Sequence, residues 1–119
     1  MEAAQPLSSS LGRIAISNDA VAQVVGHTAA ECYGVVGMAS KRRGARLRQR
    51  EKPTQGVSVS GDAETGISID LYVVVEYGLN LAEVAATIRS RVSYEVGRLT
   101  GLPVRELEVH IQDVRRSET

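Results

Sequence analysis

Apolar and polar residues alternate in four stretches of this chain, which is the pattern of β-strands with one buried face. These stretches are GRIAIS at 12–17, VSVS at 57–60, ISIDLYVVVEYG at 67–78 and ELEVHIQDV at 106–114. The buried face of the third is predicted to consist of Ile67, Ile69, Leu71, Val73, Val75 and Tyr77. A fifth, shorter strand is predicted over VVGMAS at 35–40, although Gly37 weakens it.

Two other stretches place apolar residues three and four positions apart, as amphipathic helices do. The first follows Ser17 or Asn18, either of which can cap a helix, and it ends at Gly34. The second begins at Asn80, which makes a capping-box pattern with Glu83, and it stops at the sequence GLP. Its apolar stripe consists of Leu81, Val84, Ala85, Ile88, Val92, Val96 and Leu99.

The elements therefore follow the order β-α-β-β-β-α-β. The economical packing of this order is an α+β fold of two layers, in which two helices lie on one face of a mostly antiparallel sheet. We predict one domain over residues 12–115, preceded by a flexible tail at 1–11 and followed by a short tail at 116–119. A basic loop at 41–56 interrupts the domain.

The composition fits a globular chain of one domain, with 119 residues of which 43% are hydrophobic. It contains no Trp and no Phe, so the core is predicted to be built from Val, Ile, Leu and Ala. The first ten residues do not resemble a signal peptide, and no apolar run is long enough to span a membrane. Together with a single cysteine, these features predict a cytoplasmic protein.

Charge is segregated along the chain although the net charge is zero. Residues 41–52 contain seven bases and one acid, whereas the rest of the chain contains seven bases and thirteen acids. The seven bases are Lys41, Arg42, Arg43, Arg46, Arg48, Arg50 and Lys52. This segment is either a solvated loop, a contact to nucleic acid, or a contact to anionic lipid or an acidic partner. It contains no aromatic residue for base stacking, which disfavours nucleic acid.

Side chains that could support catalysis are few. His27 and Glu31 have the spacing of a solvent-facing helix pair, His110 is predicted to point away from the core, and Cys32 falls on the apolar stripe of the first helix. Asp62 and Glu64 lie in a predicted turn, where acids are common. We therefore predict no catalytic residue, no metal site and no cofactor. An enzyme would need a deep pocket that exposes His27 or Cys32.

The sequence GVVG at 34–37 offers an alternative, because KH domains clamp a nucleic-acid backbone with a GXXG loop. A KH-like RNA-binding protein would use this turn together with the bases of 41–52. The KH loop joins two helices, however, and here the middle residues are valines ahead of a predicted strand.

Four motifs resemble the bacterial alkaline-shock protein family, also called envelope stress response proteins. They are GRIAIS, CYGVVGMAS, IDLYVVVEYG and TGLPVRELEVHIQDV, and the resemblance covers residues 12–114. It implies a non-enzymatic, cytoplasmic interaction or scaffold protein that self-associates, and that is recruited in some relatives to the inner face of the cell membrane by an anchor protein. Members of the family carry fewer charges where this chain has its basic segment, so a family-wide contact there is not expected.

Tyr72 and Val74 lie on the face of the long strand opposite to the predicted core face. If the helices cover only one side of the sheet, both residues are exposed. We therefore predict that they mark a self-association surface. The other predicted partners are a membrane-anchor protein and an acidic protein surface that binds the basic segment.

Overall fold

The computed structural model describes residues 4–9, 12–39 and 54–116, with side chains from residue 14 onward. Eight elements follow along the chain, and they are β1 (Ala4–Ser9), β2 (Gly12–Ser17), α1 (Asn18–Ala30), β3 (Val35–Met38), β4 (Val57–Asp62), β5 (Gly66–Glu76), α2 (Leu81–Thr100) and β6 (Val104–Arg115). The predicted α+β class and the predicted order of helices and strands are confirmed, with β1 as an addition.

The central strand of the main sheet is β5, the most apolar stretch of the sequence. β6 pairs with one edge of it in parallel, because α2 crosses over between the end of β5 and the start of β6. β3 and β4 both pair with β5 in antiparallel orientation. The sheet is therefore mostly antiparallel, as predicted, and it contains one parallel pair.

β3 and β4 lie end to end along the same edge of β5. Met38 is opposite Val73, and Val57 is opposite Leu71. Between these pairs, the carbonyl oxygen of Tyr72 accepts a hydrogen bond from the Ala39 N–H at 2.8 Å. The Tyr72 N–H donates to the carbonyl oxygen of Gly56 at 2.9 Å. β3 and β4 therefore act as one edge strand, interrupted opposite Tyr72 by the sequence between Ala39 and Gly56.

Both helices begin at the caps that the sequence indicates, and α2 also ends where predicted. α1 ends at Ala30, four residues before the predicted stop at Gly34, which takes its positive φ in the turn that leads into β3. The Ser17 side chain accepts a hydrogen bond from the Ala20 N–H, and the Asn80 side chain accepts one from the Glu83 N–H at 3.0 Å. Gly101 ends α2 in the left-handed conformation with a φ of 74°, which Gly adopts without steric cost. These caps satisfy backbone groups that helix ends otherwise leave unpaired.

The core is aliphatic and lies between the two helices and one face of the sheet. Its fully buried side chains include those of Val21, Val25, Ile67, Ile69, Leu71, Val73, Val75, Ile88, Val92 and Val96. The predicted inner face of β5 is thus confirmed as far as Val75. Tyr77 is exposed instead, because β5 ends at Glu76. Leu81 and Leu99, at the two ends of the predicted stripe, are also exposed.

The N-terminal part of the chain differs from the prediction in two respects. Residues 4–9, which the sequence places in a flexible tail, form β1 and pair with β2 in antiparallel register. β2 therefore belongs to a separate two-stranded sheet and does not join the main sheet. Ile16 packs against the core, whereas Ile14 is exposed. Alternation correctly predicted a strand here, but it does not specify which strand is the partner.

Candidate functional site

A cluster of polar and aromatic side chains lies on the outer face of the sheet, away from the helices. It consists of Asp70 and Tyr72 on β5 and of Glu108 and His110 on β6. The parallel register places Asp70 beside Glu108 and Tyr72 beside His110. Alternate residues of each strand point to the same face, so the four side chains form one group, which we call the outer-face cluster.

Short distances connect the members of the outer-face cluster. His110 Nε2 lies 3.0 Å from Asp70 Oδ1 and 3.6 Å from Glu108 Oε1. The rings of Tyr72 and His110 are stacked, with centroids 4.5 Å apart and planes 9° from parallel. Stacking on Tyr72 restricts the orientation of the imidazole, so its Nε2 faces the two carboxylates. All three ionisable side chains are partly exposed to solvent.

The outer-face cluster combines two acids with an imidazole. In the part of the chain that the structure describes, the basic side chain in contact with the carboxylates of Asp70 and Glu108 is that of His110 alone. The nearby Arg105 donates to Ser68 Oγ at 3.0 Å instead. Such an arrangement can bind a cation, or it can form an ion pair when the imidazole is protonated.

The two residues of the predicted self-association surface differ in exposure. Tyr72 is partly exposed and belongs to the outer-face cluster, but Val74 is only 6% exposed. The expectation that Val74 is exposed is therefore wrong. Val74 is a small side chain in the middle of the central strand, with β3 on one side and β6 on the other, and such a position is covered even on the open face.

The seven bases predicted to contact a partner lie outside the described residues, so their positions stay a prediction. The structure describes the points at which their segment joins the sheet. The chain leaves β3 after Ala39 and returns through Gly56 to β4, and both residues hydrogen-bond to the backbone of Tyr72. The basic segment is therefore attached to the sheet edge beside the strand that carries Asp70 and Tyr72.

The candidate reactive side chains outside the outer-face cluster are not brought together. His27 is exposed on α1, whereas Cys32 is buried and its Sγ donates to the Thr28 carbonyl oxygen at 3.4 Å. Burial raises the pKa of the Cys32 thiol, with smaller effects from Arg91, which lowers it, and Glu31, which raises it. A groove of about 490 Å³ lies between α2 and β6, and neither His27 nor Cys32 lines it.

Asp62 has a structural partner set in the β4–β5 turn. Its Oδ1 accepts hydrogen bonds from the Thr65 N–H and hydroxyl, both at 2.8 Å, and from the Glu64 N–H at 3.1 Å. The bonds from Thr65 lower the pKa of the Asp62 carboxyl. Asp62 therefore shapes the turn, as acids commonly do there.

The GVVG sequence leads from α1 into β3 and does not join two helices. Val35 and Val36 are strand residues, and Gly34 takes a φ of 93° at the turn that precedes them. A side chain at Gly34 would also collide with Leu79. Gly34 therefore has a structural role and Gly37 lies within β3, so the KH-like alternative loses the loop on which it depends.

The tyrosines form a feature that the sequence analysis did not single out. Three of the four lie at the surface, with Tyr33 77% exposed, Tyr77 61% and Tyr94 65%. Tyr33 and Tyr77 lie at the same end of the sheet, because their neighbours Gly34 and Glu76 share a backbone hydrogen bond of 2.9 Å. Exposed Val36 is next along β3. We call this surface the tyrosine end, and Arg116 stacks over Tyr77 within it.

Comparison with known proteins adds family information. The profile of the alkaline shock protein 23 family, described as having a cell envelope-related function, matches residues 7–116. The uncharacterized protein YloU of Bacillus subtilis (strain 168) is 38% identical over 113 residues, covering 92% of this chain and 93% of that protein. A stress response regulator gls24 homolog of Streptococcus pyogenes serotype M3 is 26% identical, covering 90% of this chain and 61% of that protein. The resemblance predicted from the motifs is thereby confirmed.

Structural comparison supports the fold alone. A solved structure titled MamM CTD H264E-E289H superposes with a TM-score of 0.54 at 14% identity, covering 84% of this chain and 83% of that one. Within the described residues, neither helix combines the length and the apolar character that crossing a membrane requires.

Proposed function

This chain belongs to the alkaline shock protein 23 family, whose function is related to the cell envelope, and we propose that it is a non-enzymatic interaction protein of the envelope stress response. In this proposal it self-associates and is recruited to the inner face of the cell membrane through a protein partner. Self-association and recruitment are supported by the exposed side chains and the charge distribution of the protein.

The observation that carries the proposal is the placement of the tyrosines. The core consists of aliphatic side chains, and the chain has no Phe or Trp. Three of its four tyrosines are mostly exposed, and two of them share the tyrosine end with Val36. Tyrosine is enriched at protein interfaces because it buries a large apolar area and keeps a hydroxyl for hydrogen bonding. The tyrosine end is thus the surface best suited to self-association.

The placement of the reactive groups supports a non-enzymatic role. A nucleophile and a base must lie within hydrogen-bond distance of one another to act together. Cys32 is buried with its thiol donating to a backbone carbonyl oxygen, while His27 is exposed on α1. Neither residue lines the groove between α2 and β6.

The basic segment at 41–52 supports a contact with an acidic surface. The segment carries seven bases and one acid, and the remainder of the chain carries an excess of six acids. Opposite charges of this size attract two copies of the chain to each other, or attract an acidic anchor protein, and fix their orientation before close contact forms. Nucleic acid is the less favoured partner, since the segment lacks stacking residues.

Sedimentation velocity of the purified chain tests self-association. We expect the sedimentation coefficient of the wild type to rise with protein concentration. The double variant Tyr33→Ser, Tyr77→Ser should stay at the value of a 12.8 kDa monomer. Tyr94→Ser is the matched control, because Tyr94 is similarly exposed but lies on α2, and it should behave as the wild type. A wild type that is monomeric at all concentrations, or a double variant that associates normally, would contradict this proposal.

Fractionation of bacterial cells after an alkaline shift tests the link to the envelope. The wild type should be found with the membrane fraction and be released by a salt or alkaline wash, as peripheral proteins are. The Tyr33→Ser, Tyr77→Ser variant should move to the soluble fraction while the Tyr94→Ser control does not. Recovery of the wild type only with ribosomes or the nucleoid would contradict the proposed location.

A further inference from the structure

We propose that Asp70, Glu108 and His110 of the outer-face cluster bind a divalent first-row transition-metal ion, with Zn²⁺ as the best-fitting member of that class. The three proposed ligands belong neither to the tyrosine end nor to the seven bases of the basic segment, so the proposal does not depend on the proposed function. The sequence analysis predicted no metal site here.

The ligand atoms already lie at distances that suit such an ion. Zn²⁺ binds His nitrogen and carboxylate oxygen at about 2.0–2.2 Å, so neighbouring ligand atoms of a tetrahedron are about 3.3–3.6 Å apart. His110 Nε2 lies 3.0 Å from the Asp70 oxygen and 3.6 Å from the Glu108 oxygen. One atom of each of the three side chains lies within 4.8 Å of the other two. Small rotations of exposed carboxylates suffice to complete the geometry.

The backbone holds these ligands in place before any ion arrives. Glu108 and His110 are two residues apart on β6, so their side chains point to the same face. Asp70, on β5, pairs directly with Glu108 in the parallel register. The ring of Tyr72 stacks on the imidazole at 4.5 Å and fixes its plane. Sites on regular strands are more precise than sites on loops, which reduces the ordering cost of binding.

The imidazole of His110 can donate a hydrogen bond to only one of the two carboxylates in the outer-face cluster. His110 Nε2 can carry one hydrogen, and it can therefore donate to Asp70 or to Glu108 but not to both. A metal ion at this position coordinates both carboxylates and the ring nitrogen together. It also neutralises the charge of two acids that, among the described residues, have no Arg or Lys in ion-pair contact.

The donor set indicates the class of ion. Imidazole favours Zn²⁺, Cu²⁺, Ni²⁺ and iron over Mg²⁺ and Ca²⁺, and carboxylates accept all of them. Three protein ligands leave at least one position for water or for a group from another molecule. When the ion binds, the imidazole hydrogen must reside on Nδ1, so that Nε2 offers its lone pair.

Titration calorimetry of tag-free protein with zinc chloride tests the site. We expect one equivalent of Zn²⁺ to bind in the presence of excess Mg²⁺ and to raise the melting temperature. His110→Gln and Asp70→Asn should each weaken binding by about tenfold or more, since even the loss of an outer partner of a metal ligand costs that much. In nitrogen-detected correlation spectra of the rings, Nε2 of His110 should show the shift of a ligated nitrogen.

Two matched controls separate this site from adventitious binding. Glu106→Gln removes an acid that lies on β6 two residues before Glu108. His27→Gln removes the other histidine of the chain. Both variants should bind Zn²⁺ as the wild type does. Absence of binding to the wild type would overturn the proposal and leave the outer-face cluster as a metal-free ion pair. Binding that survives His110→Gln, or that is lost in His27→Gln, would also overturn it.

Discussion

Thr100 is a buried polar residue whose hydroxyl has two backbone partners. Its Oγ1 donates to the Val96 carbonyl oxygen at 2.6 Å and accepts from the Leu102 N–H at 3.1 Å. The hydroxyl thus provides an acceptor for the Leu102 N–H, which lies just beyond the end of α2. The apolar stripe of the sequence does not include this residue, because a hydrophobicity pattern takes no account of hydrogen-bond partners.

Thr100→Val should therefore lower the free energy of unfolding although it preserves shape. Valine fills the same volume but leaves the Leu102 N–H without its acceptor, and an unsatisfied buried donor costs about 1–3 kcal/mol. Urea denaturation measures the effect. Thr87→Val, at an exposed position of the same helix, is the control and should change stability little. An equal response of the two variants would show that the hydroxyl bonds of Thr100 are unimportant.

Cys32 should link stability to alkaline pH. Burial raises the pKa of its thiol above the ordinary value of 9.0. A group whose pKa is raised on folding contributes its full stability below the unfolded pKa, and that contribution is lost as pH rises through the folded pKa. The wild type should thus lose stability as the pH rises above about 9, and more steeply than Cys32→Ala. Denaturation at several pH values measures the difference, and identical slopes would contradict it. Thiol reagents should modify Cys32 rapidly only after unfolding.

At the scale of elements, the sequence predicted the helices and strands better than their pairing. Caps such as Asn80 are local signals, and the inner face of β5 is a strong period-two pattern, so both were found. Leu81 and Leu99 were misplaced because a helical stripe does not reveal where the sheet beneath it stops. The tandem arrangement of β3 and β4 was also missed, because the basic segment separates two pieces of one strand in the sequence.

The tandem arrangement predicts that residues 40–56 can be removed without loss of the fold. Met38 lies opposite Val73 and Val57 opposite Leu71, which leaves one position, opposite Tyr72, for Ala39. Joining Ala39 to Val57 gives one continuous strand in which every side chain keeps its face. Circular dichroism and urea denaturation should show a folded protein at least as stable as the wild type, because a long loop no longer has to be closed.

Removal of residues 39–56 provides the matched control. This deletion is one residue longer, so Val57 would take the position opposite Tyr72 and β4 would turn its apolar face outward. Val57 and Val59 would then leave the core, at a cost of about 2 kcal/mol or more. If the two deletions were equally stable, or if the shorter one unfolded, β3 and β4 would not behave as one interrupted strand.

At the scale of the whole molecule, the sequence predicted the layers and the family but not the sites on the surface. Asp70 and His110 are 40 residues apart, and only the parallel pairing of β5 with β6 brings them together. Metal-site spacing rules search for ligands close in sequence, so they could not find this group. The tyrosine end likewise joins residues 33 and 77 through a backbone hydrogen bond between Gly34, in the turn before β3, and Glu76 on β5.

The final prediction concerns the segregation of charge over the molecule. If the basic segment attracts the acidic remainder of another copy, self-association should weaken as salt rises from about 0.05 M to about 1 M, because the screening length shortens severalfold. Replacing the seven bases of residues 41–52 with Gln should abolish this salt dependence. Sedimentation velocity at each salt concentration measures it.

The chain supplies its own control for net charge, since it has seven further bases outside the basic segment. They are Arg13, Arg89, Arg91, Arg98, Arg105, Arg115 and Arg116. Replacing those seven with Gln changes the net charge by the same amount. It also increases the difference in charge between the basic segment and the remainder of the chain. That variant should associate at low salt at least as well as the wild type. If both variants lost association equally, net charge rather than its placement would govern the contact, and the basic segment would have no specific role.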